Sequence, residues 1–496
     1  MSLAEYQQKI KALEELREKL ENELSRRSAG FYQPPNPAPI ATVQAAIPPA
    51  AALIEFAIYR PFDPKGKDDK RAFGEPRYVA YILSRRGEVQ WKELGEAKAI
   101  DDAVDDLRQA LRDPQRNDVR QLARAVEERV MQPVRALTGD ATQLLISPDG
   151  ELNLIPFAAL VDEQGRYLIQ RYSFTYLTSG RDLLRMQVAR EAKSKPLVVA
   201  NPSFGKPATE SLATTMKPTA PGSRRRSVTT GRDLSEVYFA PLGGTAQEAR
   251  SIQALFPDAN VLSAAQATES AVKQVNAPRV LHLATHGFFL SEPGADRGPQ
   301  PGSPAGVVGA TGSPAQGATR GISTAAVSVP PAVAGGSVAP TATRGSNANS
   351  KIANPLLRSG LALANANLRN KDSSDDGILT ALEASGLNLW GTKLVVLSAC
   401  DTGVGEVRNG EGVYGLRRAF VLAGAESLVM SLWPASDYTT RELMTSYYKN
   451  LKQGMGRGEA LHQVQLDMLK RNPKLHPFYW ANFIQSGEWA NLDGKR

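Results

Sequence analysis

At 496 residues the chain is too long for one hydrophobic core and is expected to divide into two or three domains. Its hydrophobic content of 42% and charged content of 22% are ordinary for a soluble globular protein, and its single cysteine excludes an intrachain disulfide. The net charge of +8 allows nucleic-acid or anionic-membrane contact, but the excess is concentrated in Arg224-Arg225-Arg226 and in the stretch from Arg297 to Ser350, which contains no Asp or Glu. Neither place has the aromatic interleaving of a single-strand binder, so the basic balance reads as flexible loops and no nucleic-acid partner is expected. The polar start lacks a signal-peptide core and no apolar run approaches bilayer length, so a cytoplasmic protein without a membrane span is expected.

In chain order, residues 1–30 predict an amphipathic or coiled-coil helix, with Leu3, Tyr6, Ile10, Leu13, Leu20 and Leu24 on one stripe. Residues 31–50 are Pro- and Ala-rich and read as a linker. A first α/β domain is expected over 51–195. Its strands are Leu53–Tyr59, Arg77–Ser84, Val89–Leu94 and Thr142–Ile146, and its helices cover 97–112 and 117–137, the latter stopped or kinked at Pro133. That region holds neither His nor Cys and no catalytic constellation. A second domain, 196–490, alternates strands and helices in the manner of a parallel, doubly wound sheet. Two stretches poor in large side chains, 206–236 and 291–350, read as flexible insertions in it.

The chemistry concentrates at two apolar runs of this second domain. Leu394-Val395-Val396-Leu397-Ser398-Ala399 leads into Cys400 and the turn-forming Asp401-Thr402-Gly403, and Val280-Leu281-His282-Leu283-Ala284-Thr285 leads into His286-Gly287. Side by side in a parallel sheet, the two strands would present Cys400 and His286 at one sheet edge, where α/β folds collect reactive groups. There His286 can take the thiol proton and the Cys400 thiolate can act as nucleophile. The backbone N–H groups of Gly287 and Cys400 would form an oxyanion hole. His282 and His286, if both on a strand, point to one face about 13 Å apart, too far to share a metal. His282 therefore reads as a buried or supporting residue, and His462 and His476 as structural. A nucleotide-binding reading finds no G-x-x-x-x-G-K-[ST] loop.

The motifs His-Leu-Ala-Thr-His-Gly (282–287) and Leu-Ser-Ala-Cys-Asp-Thr-Gly (397–403) resemble the two signatures of CHAT-domain proteins, caspase-like and separase-related members of peptidase clan CD. The resemblance takes in Ser147-Pro148-Asp149-Gly150, Asn354-Pro355-Leu356-Leu357-Arg358-Ser359-Gly360, Gly410-Glu411-Gly412 and Ser431-Leu432-Trp433-Pro434, and spans roughly Ala51 to Trp489. It implies a caspase-like αβα sandwich, a pseudo-caspase half followed by an active half. It also implies a His286–Cys400 dyad, oxyanion donors from the Gly287 and Cys400 backbone, and neither metal nor organic cofactor. The chain departs from the family in the run Trp433-Pro434-Ala435-Ser436-Asp437, where many relatives carry an acidic pair. The remaining Asp437 is a candidate S1-pocket residue selecting Arg or Lys, with a helix N-cap as the alternative. Many relatives also carry tetratricopeptide repeats; here only the N-terminal helix precedes the domain. The resemblance thus implies a regulated cysteine endopeptidase acting on a protein substrate, triggered by a sensor or activating protein bound through the N-terminal helix or first domain. The competing reading is a catalytically silent scaffold on the same fold. If Asp437 favours a basic residue, Arg224-Arg225-Arg226, Arg320 and Arg344 are candidate self-processing sites, with solvated charges that keep the loops soluble as the alternative.

Overall fold

The computed structural model describes residues 38–65, 72–188, 190–205, 227–228, 237–290, 355–368, 375–399, 402, 406–408, 412–434 and 436–495. The helix expected over 1–30, Arg224-Arg225-Arg226, Arg320, Arg344 and Cys400 itself lie outside the described residues.

The first part of the chain runs β1 (Ala51–Tyr59), β2 (Arg77–Ser84), β3 (Gln90–Glu96), α1 (Ala97–Arg112), α2 (Val119–Val130), β4 (Gln143–Ser147) and β5 (Ser173–Tyr176). Then come β6 (Leu197–Pro202), β7 (Ser227–Val228), α3 (Gly243–Leu255), β8 (Asn260–Ala264), β9 (Val280–Ala284) and β10 (His286–Phe289). The remainder is β11 (Ser359–Ala362), β12 (Ile378–Thr380), β13 (Leu394–Leu397), β14 (Glu406–Arg408), β15 (Gly412–Tyr414), α4 (Leu416–Leu422), β16 (Ser427–Ser431), α5 (Asp437–Lys452), α6 (Arg457–Arg471) and β17 (Phe483–Gly487). Pro133 falls in a separate turn of helix, Gln132–Arg135, beyond the end of α2, because its ring cannot continue the preceding helix.

Eleven strands form one sheet in the order β3-β2-β1-β4-β5-β17-β16-β13-β9-β6-β8. The strands before and after residue 195 are thus continuous through the pairing of β5 with β17, and both contribute to one apolar core. The sheet is mixed. β2 and β3 run antiparallel to their neighbours, and β17 antiparallel to β16, while β8, β6, β9, β13 and β16 form the parallel block. A wholly parallel sheet was expected for the second half; β17 departs from it because it returns after α5 and α6 without the crossover a parallel strand needs.

Strand alternation sets the layers. On β1, Ala52, Ile54 and Phe56 face the core shared with Val104 and Leu107 of α1 and Val126 of α2. Ala51 and Leu53 face the other side, against Val43, Ala46 and Ile47. Those last residues correct the expectation of a plain linker over 31–50: Ile40–Ala46 is a helix, and its apolar residues cover that second face. At the sheet centre every side chain of β13 is buried, each contributing about 2 kcal/mol by removal from water.

Candidate active site

The site is built on the pairing of β9 with β13. The two strands are parallel, with Leu281 beside Val395, His282 beside Val396 and Leu283 beside Leu397. His286 and Cys400 each lie three residues beyond the same register pair, Leu283 and Leu397. The chain does not run straight from β9 to His286, however. β9 ends at Ala284, Thr285 turns, and His286 opens β10 in a second, four-stranded sheet of order β12-β11-β10-β7. The buried Thr285 hydroxyl donates to the Ala362 carbonyl on β11 and secures this turn.

His286 is 2% exposed. Its Nε2 lies 2.7 Å from the Ala240 carbonyl oxygen. A carbonyl only accepts, so Nε2 carries the hydrogen and the neutral ring has its lone pair on Nδ1. Phe204 and Phe239 pack beside the imidazole, with ring centroids at 5.2 and 5.7 Å. Asn367 holds this wall: its Oδ1 accepts from the Phe239 N–H at 2.9 Å, and its Nδ2 donates to the carbonyls of Phe239 (2.9 Å) and Gly205 (3.1 Å). Asn367 thereby fixes the segment that carries Ala240.

Cys400 is bracketed by described, buried neighbours, Ala399 and Thr402. Ser431, at the end of β16, donates from its hydroxyl to the Ala399 carbonyl, and its N–H donates to the Thr402 hydroxyl at 3.2 Å. The Ser-Leu-Trp-Pro motif therefore has a local physical reason in this chain: its serine ties the adjacent strand to both flanks of the cysteine.

Beneath the edge lies a buried polar group that sequence patterns did not reveal. Glu248, on α3, accepts from the Ser398 hydroxyl at 2.7 Å. The same carboxylate oxygen lies 3.1 Å from His282 Nε2, off the ideal hydrogen-bond direction. His282 Nδ1 meets the Tyr448 hydroxyl of α5 at 2.9 Å. Burial, then Tyr447 and Glu248, push the Tyr448 hydroxyl well above its ordinary pKa, so it stays neutral. Glu248, His282 and Ser398 are all 0% exposed. The group ties the His strand, the Cys strand and two helices together. His282 is thus the buried residue expected from its position.

The other expected residues fall as follows. His462 and His476 serve the frame: His462 Nε2 reaches the Ile169 carbonyl at 2.8 Å, and His476 Nδ1 accepts from the Phe478 N–H at 3.1 Å. Asp437 is the first residue of α5, and Ser436 takes the cap position, so Asp437 is not the N-cap. Asp437 packs against the start of α3, where a Cβ added at Gly244 would come within 3.0 Å of its Cβ. Ser147-Pro148-Asp149-Gly150 is a structural corner: Asp149 accepts from the Ile58 N–H at 2.9 Å and the Gly150 N–H at 2.8 Å. Gly150 has φ +55°, and a Cβ there would sit 2.2 Å from the Tyr78 hydroxyl oxygen.

Gly287 lies on β10 between β11 and β7. Leu290 N–H bonds the Arg358 carbonyl in the same antiparallel register that sets Gly287 opposite Leu361. Hydrogen-bonded pairs alternate along such a ladder, so the Gly287 N–H faces away from β11, toward the edge along which Ser227 and Val228 run. Among the described residues no cluster of three or more His, Cys, Asp or Glu side chains could hold a metal ion, and no helix is long and apolar enough to cross a membrane.

The family model described as the CHAT domain matches residues 120–488. The chain belongs to the CHAT-domain family. It is 24% identical over 373 residues to human tetratricopeptide repeat protein 28, a match covering 72% of this chain and 12% of that protein. With the mouse protein of the same name it shares 30% identity over 116 residues, 23% of this chain and 5% of that one. The chain therefore spans a small part of the length of these relatives. Among solved structures it is similar to the Saccharomyces cerevisiae separase–securin complex, with a TM-score of 0.44 and 7% identity over 90% of this chain and 30% of that one. It is also similar to the Arg-specific cysteine proteinase gingipain R, with a TM-score of 0.36 and 9% identity over 79% of this chain and 74% of that one. Likeness at this level assigns no residue a role.

Proposed function

We propose that this CHAT domain is a cysteine endopeptidase held latent, with Cys400 as nucleophile and His286 as general base and acid. The reading is carried by the shared register of β9 and β13, together with the Ala240 carbonyl that leaves Nδ1 as the basic nitrogen of His286. The thiol proton passes to Nδ1, and the thiolate adds to the substrate carbonyl carbon. Backbone N–H groups of Gly287 and Cys400 take the oxyanion, the imidazolium protonates the leaving amine, and water then releases the acid from the thioester. The test is a pooled-peptide cleavage profile of wild type beside Cys400→Ala. Cleavage confined to wild type supports the reading. Equal profiles, or silence in wild type after β7 is displaced, favour a scaffold.

Latency is supported by β7. Ser227–Val228 takes the β10 edge onto which the Gly287 N–H faces, the edge an extended peptide would need. Proline cannot donate to a ladder, so Val228→Pro should raise kcat/KM for a peptide about fivefold, the equivalent of one backbone hydrogen bond. An unchanged kcat/KM would show that β7 does not compete with substrate.

Asp437 is assigned to substrate choice. Asp437→Asn should lower kcat/KM after Arg or Lys by about a hundredfold while sparing other peptides, since the loss is that of one charge-assisted contact. A uniform loss over all peptides would move Asp437 from specificity to structure.

A further inference from the structure

Far from His286, at the opposite ends of the central strands, lies a cleft of about 560 Å³. Lys393 precedes β13, Glu426 precedes β16, Arg457 opens α6 and Glu488 follows the antiparallel β17, so their positions place the cleft at the amino-terminal edge of the parallel block. Arg185 and Arg190 close it from the connection between β5 and β6. Its volume is in the range of about 300–1,000 Å³ usual for small-molecule sites.

Two guanidinium groups in this cleft have unspent donors. Arg457 is 0% exposed. Its Nε donates to the Ala490 carbonyl at 2.7 Å, and its Nη1 to the Lys393 carbonyl and to Ser427 Oγ, while Nη2 has no hydrogen-bond partner. Arg190 is 8% exposed. Its guanidinium carbon lies 3.7 Å from the centroid of the Trp390 ring and its Nη1 lies 3.4 Å from the Gly424 carbonyl, but its Nε has no partner. Buried donors are normally satisfied, and each exception calls for a cause.

The charges point the same way. Lys393 is paired with Glu426 at 2.7 Å, and Arg457 lies 3.5 Å from the same carboxylate. Arg185 meets Asp182 at 3.5 Å, and Asp493 is taken by Arg279 at 2.5 Å. Glu488 accepts from the backbone N–H groups of Trp489 and Ala490. Arg190 is the cation of the lining with no carboxylate at ion-pair distance among the described residues, Glu426 acting on it only from farther away. Its charged form is penalised by burial and by the nearby charge of Arg185, an effect that the Glu426 carboxylate offsets only in part. An anion would relieve both penalties and satisfy both donors.

We propose that this cleft is a binding site for a small molecule carrying a phosphate or carboxylate group, with the guanidinium groups of Arg190 and Arg457, whose unpaired nitrogens are buried in its wall, turning to donate to its oxygens. The site is separate from the candidate dyad and stands whether or not the chain hydrolyses peptides.

Calorimetric titration of the full chain with inorganic phosphate and, separately, succinate tests it, with sodium chloride at matched ionic strength as the reference. Saturable binding of either anion is expected, and whichever binds identifies the oxyanion class. Arg190→Gln should weaken that binding at least about tenfold. Arg190→Lys, which keeps the charge but loses the planar fork, should fall between. Circular dichroism of both variants separates lost binding from lost folding. Heats no greater than those of chloride for both anions, or wild-type affinity in a folded Arg190→Gln or Arg190→Lys chain, would overturn the proposal.

Discussion

Cys400→Ala and His286→Ala should each lower peptide hydrolysis by about four orders of magnitude, and the double variant should be no worse than either single one. The reason is that the two groups act as one unit. Without the thiol there is no atom to add to the carbonyl carbon. Without the imidazole, the thiol meets substrate mostly protonated and the leaving amine finds no acid. The comparison is informative because the two residues stand on different supports. His286 begins β10 and is oriented by the Ala240 carbonyl, whereas Cys400 follows β13, flanked by residues tied to Ser431. Neither substitution removes a strand residue of the central sheet, but His286 is buried and donates to the Ala240 carbonyl. His286→Ala should therefore melt below wild type, and activities are compared at a temperature where both variants are folded. Measured kcat/KM values for the two singles and the double form the check. Multiplying losses would mean that the residues act independently, and full activity in Cys400→Ala would remove the cysteine-peptidase reading.

The strand pairing behind the proposed dyad was legible in the chain because its signal is local. An apolar run long enough for a buried strand, ending in a reactive residue and a turn, marks both Cys400 and His286, and β9 and β13 are neighbours as those runs require. Strand Arg77–Ser84 and helix 97–112 were equally legible, since alternation and helical spacing are written in adjacent residues. The break at Thr285 was not. Val280 to Phe289 is apolar apart from its two histidines, Thr285 and Gly287, and only the Thr285 bond to Ala362, far along the chain, reveals that the strand changes sheets. Asn367 and the Ala240 carbonyl were invisible for the same reason: their partners are distant in sequence, and neither type of group is rare. Glu248 left a faint trace, an acid among the inward positions Thr245, Ala249 and Ile252 of α3. A buried carboxylate on a helix face is costly unless paired, so that position could have been marked as needing a partner.

That same carboxylate should carry the largest single contribution to stability near the site. Glu248→Leu removes the acceptor of the Ser398 hydroxyl and the carboxylate beside His282, both in fully buried surroundings. Each buried group deprived of its partner costs about 1–3 kcal/mol, so a loss of about 3 kcal/mol is expected despite the gain in apolar burial. Glu248→Gln keeps an oxygen for Ser398 and nearly the same shape, and should lose less than half as much. Urea titration checks both: the midpoint should fall in the order wild type, Gln, Leu at an unchanged slope. A larger loss in Gln than in Leu would indicate that the introduced amide cannot be satisfied there, and that the group depends on the carboxylate's two-oxygen acceptor character. The position gives the result a functional side. Ser398 stands two residues before Cys400 and His282 four before His286, so a Gln variant that stays folded yet hydrolyses peptide more slowly, with KM unchanged, would show the buried group holding both strands in register for the reaction.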